Sequence, residues 1–172
     1  MFGGAATWPA WWLVALLTAG VLSDIFDGII ARRLGVATPA LRQADSVVDV
    51  LFWFCVFGAQ WRREPGLLCQ HALVIVAFLA MELGCQALCL ARFRRMVATH
   101  TYAAKSLGLV LFAGFGVLFC APNGLTIVLM CVYGMAVDLE ILGILVLAAR
   151  YPIDIASIRV LLRPLGGLRR HD

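Results

Sequence analysis

Five apolar stretches separated by short breaks constrain this chain more than anything else in its sequence. A helix needs about 20 predominantly apolar residues to cross the hydrocarbon core of a bilayer. The stretches run roughly Trp8–Ala31, Leu41–Gln60, Leu67–Ala91, Ala103–Ala121 and Leu125–Ala149. The breaks carry Pro, Gly or clustered charge, as at Arg62-Arg63-Glu64-Pro65-Gly66 and Ala121-Pro122-Asn123-Gly124, which punctuate helices. Only 14% of the residues are charged and 63% are hydrophobic, whereas a water-soluble domain is about a quarter charged. The expectation is an all-α, polytopic helical bundle of about five transmembrane helices, forming a single membrane domain over residues 1–172. Met1 to Ala6 carries no Lys or Arg, so insertion is expected to begin with a retained first helix.

Charge placement sets an expected orientation. All but two of the 14 Lys and Arg residues flank the first connection, the third connection or the end of the last apolar stretch. Arg62 and Arg63 are the two on the opposite side. Cytoplasmic loops collect Lys and Arg, so the first and third connections and the C-terminus are expected in the cytoplasm, as for a multi-pass protein of the inner or plasma membrane. The net charge of +4 is then explained by topology and anionic headgroups. No basic patch interleaved with aromatics occurs, so nucleic acid is not an expected partner.

Four of the ten acidic residues fall within Asp24–Asp49. Asp24 and Asp27 are spaced i, i+3, and Asp45 and Asp49 i, i+4, so each pair lies on one helix face. The two helices are consecutive, which places both pairs near one membrane boundary. A charged Asp near the membrane centre costs on the order of 3 kcal/mol on insertion scales, and neighbouring carboxylates repel. Mg²⁺ or Mn²⁺, hard ions that prefer carboxylate oxygens, answer that repulsion, and four carboxylates suit a two-metal site. The bland alternative is that these residues are helix caps or interfacial ion-pair partners. Two same-face pairs on consecutive helices argue against it, because intramembrane ionisable groups generally mark function.

The same interval, Ser23-Asp24-Ile25-Phe26-Asp27-Gly28-Ile29-Ile30-Ala31-Arg32 through Ala44-Asp45-Ser46-Val47-Val48-Asp49, resembles the signature of the CDP-alcohol phosphatidyltransferase family, D-x2-D-G-x2-A-R-x8-G-x3-D-x3-D. Asp24, Asp27, Gly28, Ala31, Arg32, Asp45 and Asp49 fall in register. Leu41 stands where the signature has its second glycine. The resemblance implies a six-helix fold, here lacking the first helix, and a homodimer. It implies that Asp24, Asp27, Asp45 and Asp49 hold two metal ions, with Asp49 also the general base on the acceptor hydroxyl. It further implies that Asp24, Gly28, Ala31 and Arg32 bind the nucleotide. In related enzymes, basic residues of the third connection hold a phosphorylated acceptor; the positions here are Arg92, Arg94, Arg95 and Lys105. The alternative for those four is positive-inside anchoring.

Other features weigh less. Cys85 and Cys89 share a helix face, but no second pair completes a metal site, and free Cys is commonly a small buried hydrophobe. His71, His100 and His171 lack metal-ligand spacing, and neither a nucleophile elbow nor a phosphate-binding loop occurs. Trp8, Trp11, Trp12, Trp53 and Trp61 read as an aromatic belt at the outer interface. The glycines at 114, 116, 134 and 143 read as sites of close helix packing. Glu82, Asp138 and Glu140 lie deep in apolar stretches and either line a polar cavity or bond across helices.

The expected function is transfer of a substituted phosphate from a CDP-alcohol, CDP-diacylglycerol by preference, to an alcohol, with release of CMP and formation of a phospholipid. One competing reading is a degenerate family member that binds CDP-lipid or metal without turnover, motivated by Leu41. Another is a small divalent-cation transporter using the same acids, which lacks the inverted repeat such folds show.

Overall fold

The computed structural model describes residues 8–34, 39–94 and 102–147. They form α1 (Ala10–Arg33), α2 (Pro39–Arg63), α3 (Pro65–Gln70), α4 (Ala72–Phe93), α5 (Tyr102–Cys120) and α6 (Gly124–Leu147), with no strand among the described residues. Four segments are long and apolar enough to cross a membrane: Ala10–Ile30, Ala72–Phe93, Ala103–Cys120 and Gly124–Leu147. The fifth long helix, α2, has 25 residues and is interrupted in composition by its carboxylates and arginines. Large apolar side chains such as Ile25, Phe26, Leu73, Leu83, Leu125 and Leu139 stand exposed along the helices. Contiguous apolar surface on that scale marks a membrane-facing exterior. The protein is thus an all-helical, multi-pass membrane bundle.

Polar contacts at the two ends fix how the helices run. Arg63, at the end of α2, donates from Nη1 to the carbonyl of Trp8 at 2.6 Å and from Nη2 to that of Phe119 at 3.3 Å. The start of α1 and the ends of α2 and α5 therefore meet at one end. His71 abuts Gly124 so closely that a Cβ there would strike the imidazole ring, so α4 and α6 begin at that end too. At the opposite end Arg92 of α4 donates from Nη1 to the carbonyls of Leu145 (2.6 Å) and Val146 (2.9 Å), closing the last turn of α6. Accordingly α1, α4 and α6 run one way and α2 and α5 the other.

The central helix is α6, which packs on both α4 and α5, while α1 lies on α5. Near the Arg63 end the core gathers Leu17, Val56, Leu68, Ile75, Phe115, Phe119, Ile127 and Met130. A second cluster, Cys85, Cys89, Val137, Ile141 and Leu145, joins α4 to α6 farther along. Gly134 lets the Phe78 ring press on the α6 backbone, and Gly114 does the same for Met130, whereas Gly116 faces open space.

Two local features depart from the expected pattern. The apolar stretch from Leu67 is not one helix. It breaks at His71, whose Nδ1 engages the carbonyl of Leu67 at 2.9 Å while its backbone N–H reaches Leu68 at 3.2 Å. The imidazole takes the carbonyl that an uninterrupted helix would bond through the backbone. Trp53 is not part of an interfacial belt, since it lies two turns inboard of Trp61 and stacks on Phe115 with centroids 6.1 Å apart. Trp8, Trp11, Trp12 and Trp61 are exposed near the Arg63 end.

Candidate active site

By helical spacing the acids lie on the same faces as Gly20 of α1 and Phe52 of α2, where the two helices touch. On α1, Leu13, Leu17, Gly20, Asp24, Asp27 and Ala31 follow one another at alternating steps of four and three. On α2 the same spacing runs Asp45, Asp49, Phe52, Val56, Ala59 and Arg63. Such spacing keeps residues on one helix face. The structure identifies those faces: Leu17 and Val56 are buried, at 2% and 7% exposure, and Phe52 packs so tightly on Gly20 that any β-carbon at position 20 would collide with the ring.

From that contact the positions of the acids follow. At about 100° per residue, Asp24 and Asp27 lie within about 40° of Gly20, and Asp49 within about 60° of Phe52. At about 1.5 Å rise per residue, Asp24 lies about 6 Å beyond the Gly20–Phe52 level and Asp49 about 4.5 Å beyond it, toward the same end. Asp27 and the Asp45 position both lie about 10 Å beyond. Counted from that contact, the acids of both helices lie toward the same end of the bundle. Asp24 and Asp27 are exposed and Asp49 is half-buried. Among the described residues α1 rests mainly on α5, and α2 on α3 and α5. Backbone contact between α1 and α2 is thus slight, with Phe52 on Gly20 a side-chain contact that joins them.

The remaining expected site residues are distributed around this end. Gly28 is half-buried on α1. Ala31, Arg32 and Asp45 hold helical positions, but their side chains lie outside the described residues, as do Leu41 and Arg95. Arg94 caps α4 in the left-handed conformation at φ 56°, its N–H donating to Leu90 at 2.9 Å, and its side chain is exposed. Lys105 is exposed one turn into α5. Arg92 has its Nη1 on the α6 carbonyls of Leu145 and Val146.

For divalent metal the donor chemistry fits: both seams supply hard carboxylate oxygens and no thiol or imidazole. Among the described residues no three potential ligands come together, Asp24, Asp27 and Asp49 included; the side chain of Asp45 lies outside the described residues. The acid spacing points to the acids themselves but not to Gly20 and Phe52, where α1 and α2 touch. The signal was present in the unbroken four-three spacing that continues inward from each acid pair.

The structure is a multi-pass helical bundle that carries two acid pairs on consecutive helices. The chain belongs to the CDP-alcohol phosphatidyltransferase family, whose model matches residues 1–156. Comparison with curated proteins found no match, and comparison with solved structures found none. Family membership makes the protein a membrane phosphotransferase, in a family that is generally metal-dependent and uses a CDP-alcohol donor and an alcohol acceptor.

Proposed function

We propose that the protein transfers a substituted phosphate from CDP-diacylglycerol to an alcohol, releasing CMP and forming a phospholipid. What supports this reading is membership of the family together with two same-face acid pairs on consecutive helices that touch where Phe52 meets Gly20. Asp24, Asp27, Asp45 and Asp49 would hold two Mg²⁺ or Mn²⁺ ions. Bound there, the ions neutralise charge on the donor's pyrophosphate and on the departing CMP.

The chain's own residues supply the rest. Gly28 and Ala31 keep the α1 face low enough for the nucleotide to approach the backbone, and Arg32 pairs with its phosphate. Asp49, half-buried on α2, accepts the proton of the acceptor hydroxyl as that oxygen bonds to the phosphorus of the transferred group. The bond from that phosphorus to the CMP oxygen breaks, and CMP leaves with the electron pair. Arg94, Arg95 and Lys105 attract an anionic acceptor. The reading includes a homodimer in the inner or plasma membrane, with the site and the C-terminus cytoplasmic.

The test is metal-dependent CMP release by the purified protein from CDP-diacylglycerol with a panel of acceptor alcohols. Activity with Mg²⁺ or Mn²⁺ that is lost on chelation supports the reading. Absence of both donor binding and CMP release under all of these conditions would refute it.

A further inference from the structure

Lys105 is the sole lysine of the chain, and arginine supplies every other basic side chain apart from histidine. It stands exposed in the first turn of α5, at the end of the bundle opposite Arg63. Its charge does nothing for the helix, because a cation near a helix start opposes the positive end of the dipole. An ammonium on a four-carbon stem is also a mobile point charge, so where it stands depends on how the turn beneath it is held.

The next residue, Ser106, ties that turn to α6. Its Oγ lies 2.8 Å from the carbonyl oxygen of Ala103 and 2.6 Å from the hydroxyl of Tyr133. A carbonyl only accepts, so the one serine proton goes to Ala103 and Tyr133 donates to Ser106. Both hydroxyls belong to apolar spans, Ala103–Cys120 and Gly124–Leu147, where a hydroxyl without a partner is costly. Tyr133 is well rooted: its neighbour Gly134 is buried, and Phe78 of α4 presses on it where a Cβ would collide. The apolar packing of the first turn of α5 rests instead on Ala103 and Ala104, against the cluster that holds Cys89 and Leu145. Two methyl groups make few dispersion contacts, and the bond from Tyr133 adds the direction that they lack.

We propose that Tyr133 is a positioning residue: through Ser106 it sets the rotation of the first turn of α5, and so where the Lys105 ammonium stands. Ser106 and Lys105 are adjacent, about 100° apart around the helix axis, so holding one directs the other. This link rests on the proposed function only for its catalytic consequence, since Lys105 there attracts the anionic acceptor.

Reductive ¹³C-methylation of the purified chain in detergent reads the link directly. Dimethyl-lysine keeps its charge, and the signal of the single lysine is assigned by its absence in Lys105→Arg. Tyr133→Phe and Ser106→Ala should each shift that resonance, whereas Ser106→Thr, which keeps the hydroxyl, should leave it in place. A resonance unmoved by both Tyr133→Phe and Ser106→Ala overturns the proposal. In turnover, Tyr133→Phe should raise the KM for an anionic acceptor about threefold, the effect of one interhelical hydrogen bond in a membrane, with kcat little changed. In the Lys105→Ala chain it should add nothing, and the same rise there overturns the link. A shifted resonance with the acceptor KM unmoved by both Tyr133→Phe and Lys105→Ala supports the link and removes Lys105 from the proposed acceptor site.

Discussion

Asp49 is half-buried on α2, one turn from Phe52, while Asp24 and Asp27 on α1 are exposed. That contrast suits the different tasks proposed for them, because a base works best close to the acceptor and shielded from competing water. Asp49→Asn should lower CMP release at least about 100-fold, within the range that general-base catalysis supplies, while the purified protein elutes as wild type in size-exclusion chromatography. A loss below tenfold would remove Asp49 from the base role. The basic residues divide similarly. Lys105→Ala should raise the KM for an anionic acceptor severalfold with kcat little changed, the signature of lost ground-state binding. Arg92→Leu should instead cost about 1.5–3 kcal/mol of stability in thermal unfolding, as a charged donor leaves two α6 carbonyls.

At the scale of elements, α1 meets α2 where Phe52 packs on Gly20, and the proposed function requires that contact to align the acids. Gly20→Val pushes the Phe52 ring away from α1. Overpacking of this kind costs about 1–3 kcal/mol, and activity should fall more than tenfold because both acid levels shift with the helices. Pairing Gly20→Val with Phe52→Leu should restore part of that activity; no recovery would mean that the ring does not set the register. Asn123 offers a contrast. Its Oδ1 accepts from the N–H of Thr126 at 2.9 Å and so caps α6 at the end away from the acids. Asn123→Ala should cost about 1 kcal/mol and leave kcat/KM unchanged. Much of this was legible in the sequence. The acid pairs, their shared faces and the long helices follow from spacing and apolar length alone. The break at His71 did not, because a side-chain bond to Leu67 competes with the helix ladder through a residue that gives no sequence cue. Trp53 misled for a related reason: an aromatic residue of a membrane helix fits either the interface or the core, and only its contact with Phe115 decides. Asp138 was visible as an acid deep in an apolar stretch, but its complete burial follows from the packing of α4 on α6.

At the scale of the molecule, the Arg63 end and the acid end are opposite poles of the bundle. Cys69 and Cys120 are exposed, and both lie near the Arg63 end. With the acids on the cytoplasmic side, as the distribution of Lys and Arg expects, these two thiols should react with a membrane-impermeant reagent from outside intact cells. Labelling only after the membrane is broken would invert the orientation. The account as a whole turns on the facing carboxylates of α1 and α2 gathering divalent cations at one end. Titration of the purified protein with Mn²⁺ in the presence of CDP-diacylglycerol, followed by electron paramagnetic resonance, tests this most directly. Two bound ions per chain, both weakened in Asp24→Asn and in Asp49→Asn, are the predicted result; no bound Mn²⁺, or binding unaltered by either substitution, would contradict it.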